Sequence, residues 1–300
     1  MAGTDLVEGL AARVRAAFPD LEFRDVALNE KGEDHLMLVL DNRYVFRFPR
    51  HANHPTGLRL ELAVLNALKG KCSLPTPDYR FVPPSGEFAG YEMIVGVELT
   101  PERFGALSRP VQERVLDDLA GFLSAMHALA LDDIVAHLGE APNPWPRAGT
   151  PADYVADGRA RRLPPIRRAM PDLADLVDGF YARFERRPAA PPRLTHSDVT
   201  CDHLLLSPSG EGLAGVIDFG DVELGDPAYD FTYLWSYGDW APGHVFERYA
   251  LKDQAPGLLE RSRWLYARYR ISRLGEAIDN GWTETAAEIA ASLPELLASL

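Results

Sequence analysis

The spacing of apolar positions changes several times along the chain, and each change marks an element. Leu6, Leu10, Val14 and Phe18 recur at helical spacing, with Thr4 suited to cap the start and Pro19 to stop the run. Residues 23–29, 34–40 and 44–49 (FRDVALN, DHLMLVL, YVFRFP) alternate in part. Turn formers around Lys31-Gly32 and Asp41-Asn42 separate them, which predicts a three-stranded meander. Helical spacing returns over 58–68, with Gly70 placed just past the end. Two more strands are expected near 79–83 and 91–95, joined by Pro-Pro-Ser-Gly.

Beyond Gly96 the pattern turns helical. Val111, Val115, Leu119, Phe122 and Met126 form one stripe over 110–130. Residues 142–165 are rich in Pro, Gly and Arg and read as irregular, and another helix is expected over 171–186. Two short apolar runs, 204–206 and 214–217, then flank Ser-Pro-Ser-Gly as a β-hairpin, and the chain from about 227 is aromatic and helical. The fold class is α+β. A lobe over 1–96 is built on an antiparallel sheet, and a lobe over 97–300 is mainly helical and holds a small hairpin.

Composition narrows the partners. The 300 residues are 46% hydrophobic and 25% charged, which is ordinary for a folded protein. Forty-four acidic against 31 basic residues give a net charge of −13, and such a surface disfavours nucleic acid. Two cysteines, Cys72 and Cys201, make no disulfide framework and suit a reducing compartment. No basic-then-apolar leader and no apolar run of about 20 residues occurs. The expectation is therefore a cytoplasmic protein with no membrane partner, and a monomer.

The chemistry concentrates in two stretches, HSDVTCDH at 196–203 and VIDFGD at 216–221. Asp198 and Asp218 bracket the hairpin, and a hairpin returns its end near its beginning. Both carboxylates and His203 can thus converge. Acidic oxygens with one imidazole suit a divalent cation, Mg²⁺ in particular when phosphate oxygens complete its shell. A remaining carboxylate can take a proton from a hydroxyl. A zinc site from His196, Cys201 and His203 has suitable ligand types but neither a fourth ligand nor paired spacing.

His196-Ser197-Asp198, His203, Ile217-Asp218-Phe219-Gly220-Asp221 and Gly225-Asp226-Pro227 together resemble the aminoglycoside phosphotransferase family, relatives of the protein kinases. The likeness is greatest to the 2″-O-phosphotransferases, whose catalytic loop has a similar Asp-His ending. It spans about residues 20–240. The resemblance implies a kinase-like fold and ATP or GTP as phosphate donor. It makes Asp198 the catalytic base, and His203 and Asp218 the Mg²⁺ ligands. Arg47 would contact the phosphates, held by Glu61, and the nucleotide would lie near Tyr91, Met93 and Val95, with Gly96 at the hinge. His196 would prop the loop. Asp226 would tie the hairpin to the helical body, and His127 would pack in the core. Two positions depart from the family pattern. Arg47 stands where Lys is expected, a difference in hydrogen-bond geometry. The loop over the phosphates, 29–35, carries only Gly32.

Charge is distributed unevenly. Residues 41–80 hold seven Lys or Arg against three acidic residues, while 194–259 hold eleven acidic against two basic. The second stretch suits a polycation, and the resemblance implies that the acceptor substrate is a small cationic antibiotic. Asp221, Asp230 and Asp239 are the candidate ammonium partners. Trp235 and Tyr237 are candidate stacking walls, with Trp264 and Tyr266 further possibilities. Alternative acceptors are a macrolide, modified at its 2′ hydroxyl, or another small hydroxylated metabolite.

Overall fold

The computed structural model describes residues 2–29, 35–50, 55–142 and 144–300; most of the expected phosphate-covering loop, including Gly32, lies outside them. The chain begins with α1 (Ala2–Ala17), β1 (Val26–Asn29), β2 (His35–Leu40), β3 (Tyr44–Pro49) and α2 (Pro55–Leu68). There follow β4 (Tyr79–Phe81), β5 (Ala89–Glu92), β6 (Val97–Glu98), α3 (Pro101–Ala106), α4 (Arg109–His127) and α5 (Leu131–Leu138). After α6 (Pro151–Asp157), α7 (Leu163–Ala169) and α8 (Pro171–Phe184) come β7 (Arg193–Thr195), β8 (Leu204–Leu206), β9 (Leu213–Val216) and β10 (Glu223–Gly225). The last helices are α9 (Ala241–Arg248), α10 (Leu258–Asp279) and α11 (Thr283–Ala298). The protein is α+β, with an antiparallel sheet in its N-terminal region and helices in its C-terminal region.

Two compact units share the chain. One comprises Met1–Asp118, Leu129–Ala141 and Cys201–Val222; the other comprises Leu119–Ala128, Pro142–Thr200 and Glu223–Leu300. In the first, five antiparallel strands run in the order β1-β2-β3-β5-β4. Period-two alternation explains how this sheet is covered on both faces. Leu38, Leu40, Tyr44, Phe46 and Phe48 form one core with Leu10 and Val14 of α1. Val45 and Arg47 point the other way. The β2–β3 turn uses Asp41 and Asn42 at φ 51° and 50°, the left-handed pair that a tight hairpin requires. Gly90 lies opposite Phe46, and a Cβ there would come within 2.4 Å of the Phe46 ring. A second sheet, β6-β8-β9, contains the β8–β9 hairpin. Gly96 approaches it closely: a Cβ would sit 2.8 Å from the Leu206 carbonyl oxygen and 2.8 Å from Leu205 Cβ.

In the second unit β7 and β10 form a two-stranded antiparallel ribbon among helices. Residues 142–165, expected to be irregular, are largely helical here. Thr150 and Asp153 form a reciprocal capping box at the start of α6, and Pro151 sits in its first turn. The run continues through a π-helical turn, Gly158–Arg162, into α7. Two prolines fall in the first turn of α7, where a missing N–H costs nothing. The arginines that suggested a loop are paired instead, Arg159 with Asp178 and Glu185, and Arg168 with Asp279. No single helix among the described residues is long and apolar enough to cross a membrane.

Candidate active site

The first unit contains a buried ionic cluster. Arg47, 5% exposed, lies on the β3 face away from the α1 core. It donates from Nη1 to Glu61 Oε1 on α2 at 2.8 Å and from Nη2 to Asp218 Oδ1 at 2.8 Å. His35 Nδ1 stands 3.2 Å from Nη2. Tyr79 donates its hydroxyl to Glu61 Oε1 at 2.9 Å. Burial pushes the Glu61 carboxyl up, and the Arg47 guanidinium opposes that shift. Burial also pushes the Tyr79 hydroxyl well up, so it stays protonated as a donor. Arg47 Nε has no hydrogen-bond partner among the described residues, leaving one buried donor uncommitted.

Asp218 sits just after β9 with φ 63°, a left-handed conformation that costs a non-glycine residue on the order of 1–3 kcal/mol. That backbone turn aims its carboxylate two ways. Oδ1 takes the Arg47 hydrogen bond, while Oδ2 faces His203 Nε2 at 3.6 Å. Asp218 is partly open to solvent, at 37% of its side chain. No group of three or more His, Cys, Asp or Glu side chains able to hold a metal occurs among the described residues. A cation at Asp218 and His203 would therefore draw most of its ligands from elsewhere. Such a shell is the usual one for Mg²⁺ on nucleotide phosphates, where the protein offers one or two carboxylates. The carboxylate suits that hard ion, and the imidazole is the softer ligand.

In the second unit, the loop carrying Asp198 follows β7. Ser197 also has a left-handed φ, 68°. The loop hangs from Asp230, whose Oδ2 accepts from His196 N and whose Oδ1 accepts from Ser197 N, both at 2.8 Å. His127 Nε2 lies 2.9 Å from Asp230 Oδ2, and His127 Nδ1 lies 2.9 Å from the Tyr249 hydroxyl. Burial is the largest single influence on the Asp230 carboxyl and would raise it, but the hydrogen bonds and electrostatic attraction from His127 and His196 together outweigh it, and the net direction is down. Asp198 N donates to His196 Nδ1 at 3.3 Å, so His196 props the loop.

Asp230 was expected to meet substrate. It is 1% exposed and both its oxygens are engaged, so it positions the loop instead. Asp239 is exposed but paired with Arg263 at 2.8 Å, and Arg263 also covers the Trp235 ring at 4.3 Å. Trp235 Nε1 donates to Ser262 Oγ, and Tyr237, Trp264 and Tyr266 are buried in the core. Asp221 is exposed at the surface. Asp226 is held by Arg261 at 2.6 Å, within its own unit. For the nucleotide, Val95 is 61% exposed and Met93 half-buried. Tyr91 is buried on the sheet, its ring 4.9 Å from that of Tyr79. His35, Tyr79 and the His127–Tyr249 pair were not singled out as site residues. His35 had a legible signal, since the meander's register places it on the Arg47 face; the others are joined by tertiary packing alone.

A model of the phosphotransferase enzyme family matches residues 25–270. The chain belongs to that family. Among solved structures, this phosphotransferase is similar to APH(2″)-IIIa in complex with GDP and kanamycin, with a TM-score of 0.74 at 22% identity, over 97% of this chain and 99% of that one. It is also similar to ADP-bound aminoglycoside phosphotransferase APH(2″)-Ib, with a TM-score of 0.63 at 18% identity, over 95% and 99%. Macrolide 2′-phosphotransferase MphH from Brachybacterium faecium gives a TM-score of 0.60 at 20% identity, over 96% and 97%. The shared fold is the kinase-like one.

Proposed function

We propose that this phosphotransferase moves the γ-phosphate of ATP or GTP onto a hydroxyl of an aminoglycoside, as a 2″-O-phosphotransferase does, with Mg²⁺ as cofactor. The observation that carries the reading is the buried Arg47, which joins Glu61 on one side to Asp218 on the other. A guanidinium so fixed can grip phosphate while it orients the carboxylate beside it. Mg²⁺, when bound at Asp218 and His203, would offset the charge of the transferring phosphoryl group. Asp198 accepts the proton of the acceptor hydroxyl as its oxygen bonds to the γ-phosphorus. The bond from that phosphorus to the bridging oxygen breaks, and the nucleoside diphosphate leaves with that electron pair. The product gains about −1.5 to −2 charges, which opposes binding that depends on positive charge. Resistance to the antibiotic is the proposed consequence. A lobe boundary at 96/97, a monomeric state and a cytoplasmic setting complete the proposal.

A macrolide acceptor is the second reading. It draws support from the pairing of Asp226 and Asp239 with Arg261 and Arg263, which leaves fewer bare carboxylates for a polycation. The test incubates the protein with Mg²⁺, ATP or GTP and a panel of aminoglycosides and macrolides, and reads product mass. A single added phosphate on aminoglycosides supports the first reading, and one on macrolides alone replaces it with the second. No phosphate on either class refutes both.

A further inference from the structure

The second unit encloses a cavity of about 280 Å³ that the reaction above does not use. Its size is near the lower end of small-molecule sites, roughly 300–1,000 Å³. Phe184, Leu224, Leu265, Pro188 and Pro192 line it. The stacked rings of Tyr154 and Tyr229, 6.2 Å apart at 21°, form a flat part of the wall. Its charged lining is one-sided: Arg147, Arg187 and Arg261 against the single carboxylate of Asp226.

The accounting of those charges decides the ligand. Arg261 spends its guanidinium on Asp226, at 2.6 and 3.2 Å. Arg187 is committed to Glu260 at 2.8 Å and lies over the Trp264 ring. The exposed guanidinium of Arg147 has no hydrogen bond or ion pair among the described residues. An apolar hollow bordered by one uncommitted guanidinium fits a small molecule with an apolar body and a single acid group. It does not suit a polycation, because the lining's one carboxylate, Asp226, is already taken by Arg261 and the remaining unpaired charge, on Arg147, is positive.

We propose that this cavity is a binding site for a small amphipathic anion, distinct from the acceptor site, with Arg147 holding the acid group. The inference stands whichever antibiotic class is the acceptor. Titration calorimetry on the full chain tests it with two probes of equal chain length, decanoate and decyltrimethylammonium. Decanoate should bind saturably at one site, and the cation at least about tenfold more weakly, the worth of one charge-assisted contact. Arg147→Glu, at an exposed position that leaves folding intact, should weaken decanoate by about tenfold or more. Ala190→Trp, which fills the hollow, should abolish binding. The proposal is overturned if decanoate does not saturate, if both headgroups bind alike, or if binding survives both substitutions. It is equally overturned if saturating kanamycin displaces decanoate, which would make the cavity part of the acceptor site.

Discussion

Replacing Arg47 by Met keeps an unbranched, flexible side chain that covers the apolar stem and removes the guanidinium and its charge. In the native protein the Glu61 side chain is 0% exposed and its charge is balanced by Arg47 at 2.8 Å. Breaking a buried pair from one side costs about 3–5 kcal/mol, because the surviving charge is left in a medium that solvates it poorly. We take about 3 kcal/mol, the lower end, since Asp218, the other partner, is 37% exposed and regains water. At roughly 2–4 °C per kcal/mol for a protein of this size class, Tm should fall by about 6–12 °C. Burial then acts on Glu61 unopposed, so its carboxyl rises further above the ordinary value of 4.5. A carboxyl raised in the folded state lends its stability below the unfolded value and loses it as pH rises through the folded one. The deficit should thus be largest near neutral pH and shrink toward pH 5. Arg47→Met with Glu61→Gln removes the stranded charge while keeping an acceptor for Tyr79, so it should recover about 2 kcal/mol. Nucleotide binding should stay lost in both variants. Urea unfolding at pH 5 and pH 7, with nucleotide titration alongside, measures all of this. A single variant as stable as the native protein, or a double variant no better than the single, refutes the reasoning.

Four further outcomes are expected. Asp198→Ala should abolish phosphate transfer and leave nucleotide affinity nearly unchanged, as read by turnover and by nucleotide titration; retained turnover removes Asp198 from the role of base. Asp218→Asn should weaken nucleotide binding in a Mg²⁺-dependent way, so an unchanged Mg²⁺ titration counts against a ligand role. Asp230→Asn should cost about 2–4 kcal/mol and lower kcat, because one of the hydrogen bonds holding His196 and Ser197 becomes a clash of donors. The native Asp230 carboxyl, which burial would raise but which His127 and His196 together lower, contributes stability above its ordinary value of 3.8 and loses it as pH falls through the folded value. The variant should lack that part of the acid slope in a pH–stability series. Gly96→Ala should destabilise by about 1–3 kcal/mol in a denaturant titration, since its Cβ meets a backbone oxygen that cannot swing aside.

Local pattern made much of this protein legible. The meander of β1 to β3 follows from alternation and from Asp41-Asn42, because a strand's period of two and a turn's left-handed residues are properties of short segments. The helix over 110–130 was visible for the same reason, as its apolar stripe lies within one run of chain. Residues 142–165 misled because proline and arginine suggest a loop, yet proline is harmless in a first turn and the arginines find acids from α8 and α10. The sequence singled out Arg47, Glu61, Asp198, His203 and Asp218 as candidate site residues. Tertiary structure alone decided how the charges are used. Along the chain, 194–259 is strongly acidic. In space, Asp218, Asp226 and Asp239 each meet an arginine from outside that stretch, and Asp230 is enclosed beneath the loop it holds. Composition counts charges by position in the chain. Coulomb energy depends on distance through space and on burial, and only the folded chain fixes those.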